Sequence, residues 1–188
     1  VIDEACKNKS LIAACINGIH LEGPFISPDR VFRGAHAEKF IIPPDWELFC
    51  EFQKSAGGRI KIITLAPEYK AAAEFIEQCT KQNILVSIGH SAADAEDIAK
   101  AITAGAKMYT HLGNGVPHML ARHNNILWEM LARDELFASI IADGIHLPDS
   151  FLKTVITVKK NKSLLVSDAT MFAGMPAGAY TTHIGGEV

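Results

Sequence analysis

The sequence has few cysteines, little net charge and no long apolar run. Its four cysteines are scattered and form no CxxC motif, which argues against a disulfide framework and against a cysteine metal site. The formal net charge is only −3, which argues against nucleic acid or an anionic membrane surface as a partner. No apolar run approaches the roughly 20 residues that span a bilayer, and the first residues do not predict a signal peptide. We therefore expect a cytoplasmic protein.

What the sequence does contain is a series of short apolar runs that alternate with amphipathic segments. The runs are continuously apolar, as in parallel strands that are covered on both faces. Apolar residues at helical spacing predict helices between them, for example over 72–79 and 95–102. Six strands are predicted, near Leu11–Leu21, Ile60–Leu65, Ile84–Ile88, Lys107–His111, Ala138–Ala142 and Leu164–Ser167.

About six βα units follow from this pattern, in one domain over residues 1–188. A closed (β/α) barrel has eight strands and typically about 250 residues. Two architectures remain open at this point. One is an open six-stranded α/β sheet, and the other is part of a barrel whose first strands are absent.

Metal-binding residue types follow several of the predicted strands. Glu22 lies in IHLEGPF, His90 in SIGHS, His111 in YTHLGN and Asp168 in LVSDAT. Carboxylates and imidazoles bind catalytic divalent metals and move protons beside them. A single histidine after a strand is more often structural, and Asp168 would also serve as an ordinary helix cap. Because the carboxyl ends of parallel strands meet at one edge, the four residues together predict a metal-dependent active site.

Several longer segments resemble the N-acetylglucosamine-6-phosphate deacetylase family of the amidohydrolase superfamily. They occur in the family's order, at similar spacing, and cover nearly the whole chain. The resemblance implies an amidohydrolase-type (β/α) TIM barrel, incomplete because the family's first barrel strands and its β-sandwich part are absent. The segments are IHLEGPFIS (19–27), RGAH (33–36), GHSAADAEDI (89–98), THLGN (110–114), IADGIHLP (141–148) and LVSDATMFAGMPAGAY (165–180).

The resemblance also implies roles for individual residues. A divalent metal ion, expected to be zinc, would be bound by Glu22, His90 and His111. Asp168 would be the catalytic residue that takes a proton from water and returns it to the leaving amine. The substrate would be bound by Ala35, His36, Asn114, Gly115, Arg122 and His146.

Within the substrate site, His36 is expected near the amide and His146 near the sugar phosphate. Arg122 is expected to hold the phosphate, with Gly115 allowing the backbone to approach. The implied reaction is deacetylation of N-acetylglucosamine 6-phosphate by a homodimer. Two alternatives remain open: another amidohydrolase acting on a different N-acyl or cyclic amide, and a non-catalytic fragment.

Three further residues are expected to have supporting roles. His20 shares a strand face with Glu22, and we expect it to be a hydrogen-bonded support and not a ligand. Asp143 is expected to order its own loop. Ser91 is expected to cap the helix that follows it.

Overall fold

The apolar runs form one parallel sheet of six strands in the computed structural model, which describes residues 1–180. The strands are β1 (Ile19–Glu22), β2 (Ile60–Leu65), β3 (Leu85–Ile88), β4 (Met108–Tyr109), β5 (Phe137–Ile141) and β6 (Ser163–Val166). Each strand pairs in parallel with the next one in the sequence, so the order in the sheet is β1-β2-β3-β4-β5-β6. All six carboxyl ends therefore lie along the same edge.

Eight α-helices lie in residues 1–180, two before β1 and the others between successive strands. They are α1 (Ile2–Asn8), α2 (Ser10–Cys15), α3 (Arg30–Arg33), α4 (Trp46–Ser55), α5 (Ala72–Lys81), α6 (Ala95–Ala104), α7 (Ile126–Ala132) and α8 (Asp149–Lys159), with 3-10 turns at Glu38–Phe40 and Lys160–Lys162. Asp94 begins α6 through a capping box with Asp97, and Gly105 ends it in the left-handed conformation that favours glycine. Within residues 1–180, no helix is both long and apolar enough to cross a membrane.

The strand predicted over Leu11–Leu21 is wrong in its first half. Residues Ser10–Cys15 form α2, and the strand begins only at Ile19. The physical reason is that a short apolar run fits a helix or a strand equally well by composition. Leucine and alanine are good helix formers, and they dominate this part of the run.

The main core lies between the sheet and the helices α4 to α8. Val86 and Ile88 of β3 are fully buried in it, together with apolar residues of the flanking helices. Three aromatic rings pack edge to face at one end of this core: Phe75 lies 5.1 Å from Phe25 and 5.6 Å from Phe49, measured between ring centroids. This packing fixes the strands that carry the candidate site.

Polar side chains form a ladder across four neighbouring strands, just before their carboxyl ends. The Nε2 atom of His20 lies 2.6 Å from the hydroxyl of Thr64, which lies 2.7 Å from the hydroxyl of Thr110. The Thr110 hydroxyl lies 2.5 Å from that of Ser87. We call these four residues the hydroxyl ladder. It confirms the expected hydrogen-bonded role of His20, two residues before Glu22.

Candidate metal centre

The four residues predicted from the strand ends do lie at one edge of the sheet. Glu22 is the last residue of β1, while His90, His111 and Asp168 each lie two residues beyond their strands. These last three have positive φ angles of 49°, 32° and 47°. A left-handed backbone is uncommon for residues other than glycine, and such conformations concentrate at functional sites.

The side chains of Glu22, His90 and His111 converge on one point. The Oε1 atom of Glu22 lies 2.8 Å from Nε2 of His90 and 3.5 Å from Nε2 of His111. The two Nε2 atoms lie 3.0 Å apart. Around a tetrahedral zinc ion, neighbouring nitrogen and oxygen ligand atoms lie roughly 3.3 Å apart. Among residues 1–180, these three side chains form a group whose ligand atoms are close enough together to bind one metal ion.

The orientation of His90 is fixed by the backbone of α3. Its Nδ1 atom lies 2.8 Å from the carbonyl oxygen of Phe32. A carbonyl oxygen only accepts hydrogen bonds, so the proton of the neutral ring is on Nδ1, and the lone pair of Nε2 faces Glu22. Three electron-rich atoms this close repel one another unless a proton or a cation lies between them. The donor set and its geometry therefore fit a divalent metal ion.

The same convergence shifts two pKa values. Burial by itself would raise the pKa of Glu22, but hydrogen bonds from His111 first and then from His36 hold it well below its ordinary value of 4.5. Burial would lower the pKa of His111, but the hydrogen bond and negative charge of Glu22 raise it above 6.5, and the charge of Asp168 adds to this effect. The electrostatic environment of these side chains therefore favours a positively charged group between them.

His36 lies beside this centre, as the resemblance implies. Its Nε2 atom is 3.2 Å from Oε1 of Glu22, and its ring packs edge to face on His90 with centroids 4.8 Å apart. The guanidinium of Arg33 donates to the His36 carbonyl oxygen at 3.0 Å, which helps to fix the loop. Gly34, at φ 59°, passes so close to His90 that a Cβ atom there would lie 3.2 Å from the ring.

A cavity of about 580 Å³ opens over the three candidate ligands. Phe40 and Ile141 supply apolar lining. Six residues predicted for substrate binding or proton transfer also line the cavity: Ala35, His36, Asn114, Gly115, His146 and Asp168. Thus the structure brings together in one cavity every predicted site residue except Arg122.

Gly115 and Asn114 reach this cavity from the loop after β4. Gly115, at φ 64°, approaches both histidine rings, since an added Cβ would lie 3.1 Å from Nδ1 of His90 and 3.3 Å from Cε1 of His111. The sequence predicted an open backbone here for an anion, and the structure shows that the same glycine also makes room for the rings. The side-chain nitrogen of Asn114 is buried and has no hydrogen-bond partner among the described residues.

His146 is held at the rim of the cavity by Asp143. The backbone amides of Ile145 and His146 donate to Oδ1 of Asp143 at 2.9 Å, and Nδ1 of His146 lies 2.6 Å from Oδ2. These bonds, that of the His146 amide first, hold the pKa of Asp143 at about 2. Asp143 therefore orders its loop, as expected.

Arg122 is exposed and is not among the residues that line the cavity. It lies on the same long loop as Asn114 and Gly115, between β4 and α7. Its carbonyl oxygen accepts a hydrogen bond from the indole of Trp128 at 3.2 Å.

Ser91 does not cap α6, contrary to the sequence-based expectation. Asp94 takes that position, three residues later, because its carboxylate accepts from the amides of both Glu96 and Asp97. Ser91 instead donates to Glu68 from the preceding βα unit.

No protein-family model matches this sequence. Among known proteins, the N-acetylglucosamine-6-phosphate deacetylase of Bacillus subtilis (strain 168) is 39% identical over 178 residues, which are 94% of this chain and 44% of that protein. The enzyme of the same name from Caenorhabditis elegans is 35% identical over 182 residues, or 90% of this chain and 43% of that protein. The chain thus spans less than half the length of these relatives.

Solved structures show the same likeness. A variant of the Mycobacterium smegmatis deacetylase, in complex with N-acetyl-D-glucosamine-6-phosphate, has a TM-score of 0.83 at 25% identity and matches 96% of this chain and 46% of its own. The Thermotoga maritima enzyme has a TM-score of 0.76 at 34% identity, over 96% of this chain and 48% of its own.

The resemblance to N-acetylglucosamine-6-phosphate deacetylases is thereby confirmed. It covers nearly all of this chain and a little under half of each deacetylase. The six parallel α/β units match the corresponding part of the deacetylase fold.

Sequence reasoning missed three residues that contact His90, contact the loop after β3, or line the cavity. Phe32 acts through its carbonyl oxygen, which any residue carries, so no sequence signal could reveal it. Glu68 lies three residues after the end of β2 and directly follows Pro67. Its position shortly after a predicted strand was the one signal in the sequence. Phe40 lines the cavity from a 3-10 turn that the apolar pattern did not predict.

Proposed function

We propose that this chain is the metal-binding part of an enzyme that hydrolyses the N-acetyl group of N-acetylglucosamine 6-phosphate. The products would be glucosamine 6-phosphate and acetate. The observation that carries the proposal is the convergence of Glu22, His90 and His111 under a cavity lined by the predicted substrate residues. The similarity to deacetylases in both sequence and fold supports the same reaction.

The metal ion would be bound by Glu22, His90 and His111, and zinc is the metal we propose. Two imidazoles and one carboxylate are a donor set that zinc accepts in hydrolytic sites. When bound, such an ion supplies Lewis acidity, which polarises an amide carbonyl and lowers the pKa of water.

Asp168 is the residue we propose to move the proton. It lines the cavity, and its charge is close enough to raise the pKa of His111. Its carboxylate would accept a proton from the attacking water and then donate it to the amine as the C–N bond breaks. Ala35 and His36, which follow α3 and also line the cavity, would contact the amide.

The sugar phosphate would lie toward Asn114, Gly115 and His146. Asn114 lines the cavity and has a buried side-chain nitrogen without a partner among the described residues, and His146 lies at the rim. Arg122 would approach the phosphate from outside this wall, since its side chain is exposed on the same loop. A guanidinium binds phosphate oxygens in a bidentate manner, which suits this role.

For the architecture, we propose an incomplete amidohydrolase-type TIM barrel that forms one domain over residues 1–188. The sequential order of six parallel strands is that of an arc of such a barrel. Three apolar side chains of β6 are exposed: Leu164, Leu165 and Val166 are 41%, 72% and 39% exposed. In a barrel, residues of this kind would be covered by neighbouring strands and helices. We also propose a homodimer in the cytoplasm, where the four cysteines, free among the described residues, would stay reduced.

Metal analysis tests the central observation. Elemental analysis of the purified chain should find a divalent ion, and His111→Asn should contain much less of it. The matched control is His118→Asn, because His118 is an exposed histidine outside the cavity. Undiminished metal in His111→Asn would remove this residue from the site.

Assays on two sugars test the substrate. We expect acetate release from N-acetylglucosamine 6-phosphate in preference to the sugar without its phosphate. Equal rates on both sugars would favour another amidohydrolase, and a chain that binds metal but releases no acetate would favour the non-catalytic alternative.

A further inference from the structure

The loop after β3 carries a metal ligand in an uncommon conformation. His90 is 6% exposed and has a φ angle of 49°, in the left-handed region that side chains with a Cβ seldom adopt. An unsupported loop would spend much of its time in other conformations, in which the imidazole points elsewhere. Contacts from neighbouring units must therefore hold this residue in position.

Residues from the two preceding units of the sheet hold the segment. After β1, the amide of Ser27 donates to the carbonyl oxygen of His90 at 2.8 Å. After β2, both carboxylate oxygens of Glu68 are used. Oε2 accepts from the hydroxyl of Ser91 at 2.7 Å, and Oε1 accepts from the amide of Ala92 at 2.9 Å. We call this pair of bonds the Glu68 clamp.

The clamp reaches further along the loop through Ser91. The Ser91 side chain is fully buried, and its oxygen also accepts from the amide of Ala93 at 3.0 Å. Without the Glu68 carboxylate, the buried hydroxyl and the Ala92 amide would both lose an acceptor, which favours rearrangement of the loop. Glu68 itself does not line the cavity over the candidate ligands, so it would act on His90 through this loop.

From these contacts we infer that Glu68 is a positioning residue, which holds the loop after β3 in the conformation that presents His90 to the metal. The inference rests on the proposed function, because it takes His90 to be a metal ligand. The affinity of a site falls in proportion to the fraction of molecules in the competent conformation. Loss of an outer partner of a metal ligand typically weakens affinity about 10–100-fold.

Two measurements on the same variants test the inference. The first is hydrogen exchange of the Ala92 and Ala93 amides in metal-free protein, and the second is zinc affinity by competition with a chelator. In Glu68→Ala, we expect exchange at both amides to be at least roughly tenfold faster and zinc affinity to fall about 10–100-fold. Glu68→Gln keeps one acceptor oxygen and should lie between this variant and the wild type.

A matched control and a second variant separate positioning from general loss of stability. Glu77→Ala removes an exposed carboxylate from α5 and should change neither measurement. Ser91→Ala removes the partner and leaves Glu68 in place, so it should reproduce the faster exchange at Ala93 and a weaker site. If Glu68 contributed only to overall stability, Glu68→Ala would lower the melting temperature and leave the zinc affinity of the folded protein unchanged.

The outcomes are distinguishable from a failure of the proposed function. A wild-type chain that binds no zinc would overturn the proposed function, whereas the exchange measurement on metal-free protein would still decide whether the clamp holds the loop. If folded Glu68→Ala keeps the wild-type protection at Ala92, the clamp does not hold the loop and the inference is wrong. Faster exchange with unchanged zinc affinity would equally overturn it.

Discussion

His90, His111 and Asp168 share a backbone conformation that most side chains avoid. Within residues 1–180, five residues other than glycine have positive φ angles, and three of them are these candidate site residues. Each such residue costs of order 1–3 kcal/mol, which the surrounding contacts must offset. The left-handed turn after a strand directs each side chain over the strand ends, toward the common point.

Substitution of Asp168 tests its part in proton transfer. Asp168→Asn keeps the shape of the side chain but cannot accept a proton at neutral pH. We expect the variant to retain its metal and to lose at least roughly 10²-fold in turnover, the usual scale for acid–base catalysis. Steady-state kinetics beside metal analysis would check this, and a variant with nearly full turnover would show that the proton moves by another route.

Substitution of Arg122 tests the phosphate assignment. A hydrogen bond to a charged group contributes about 1.5–3 kcal/mol. Arg122→Ala should therefore lower kcat/KM for the phosphorylated sugar by roughly 10–150-fold. The unphosphorylated sugar is the internal control, because it lacks the group that Arg122 would bind. Equal effects on both sugars would contradict a specific phosphate contact.

Among the elements, side-chain hydrogen bonds support the register of the strands in addition to the backbone hydrogen bonds between them. The hydroxyl ladder joins β1, β2, β3 and the end of β4 at the level just below the candidate ligands. Thr110 is central to it, because its hydroxyl contacts both Thr64 and Ser87. It is also the residue immediately before His111. The ladder thus links the packing of the sheet to the position of a ligand.

Substitution of Thr110 measures the contribution of the ladder to stability. Thr110→Val preserves the shape of the side chain but leaves the buried hydroxyls of Thr64 and Ser87 without their partner. We expect the free energy of unfolding to fall by about 1–3 kcal/mol. Denaturant titration would measure it, with Thr110→Ser as the control that retains the hydroxyl. A variant as stable as the wild type would show that the ladder contributes little.

For the whole molecule, the centre couples folding to pH. In the metal-free protein the pKa of His111 is raised above 6.5, so its stabilisation is present below that pH and is lost as the pH rises through the raised pKa. The pKa of Glu22 is lowered, so its stabilisation is present above about 4.5 and is lost as the pH falls further. Metal-free protein should therefore be most stable in weakly acidic solution, between about 4.5 and 6.5.

Thermal unfolding across pH 4–8, with and without zinc, would check this coupling. Because protons compete with metal for imidazole nitrogens, the increase in melting temperature caused by zinc should grow as the pH rises. In His111→Asn without metal, the loss of stability above about pH 6.5 should become smaller. A wild type whose stability does not change between pH 6 and 8 would contradict the Glu22–His111 pairing.

Local sequence pattern predicted the six strands and the residue types at their carboxyl ends. The predicted limits of β2 match the observed ones, and every end of β3, β4, β5 and β6 lies within two residues of its predicted position. The prediction works because buried parallel strands need apolar side chains on both faces. The pattern also predicted that Glu22, His90 and His111 would lie together, since the carboxyl ends of parallel strands meet at one edge, and their ligand atoms do converge. The early run at 11–15 could not be resolved, because composition alone does not separate a short helix from a strand.

How closely these residues approach one another depends on the packing of distant segments, which local pattern does not contain. Glu22 and His90 are 68 positions apart in the sequence, yet their ligand atoms lie 2.8 Å apart. The hydrogen bond to the Phe32 carbonyl, the Glu68 clamp and the position of Arg122 outside the cavity likewise depend on contacts between distant segments. Local pattern fixes which face or end of an element a residue occupies, whereas the packing of neighbouring units fixes distances and orientations to within an ångström.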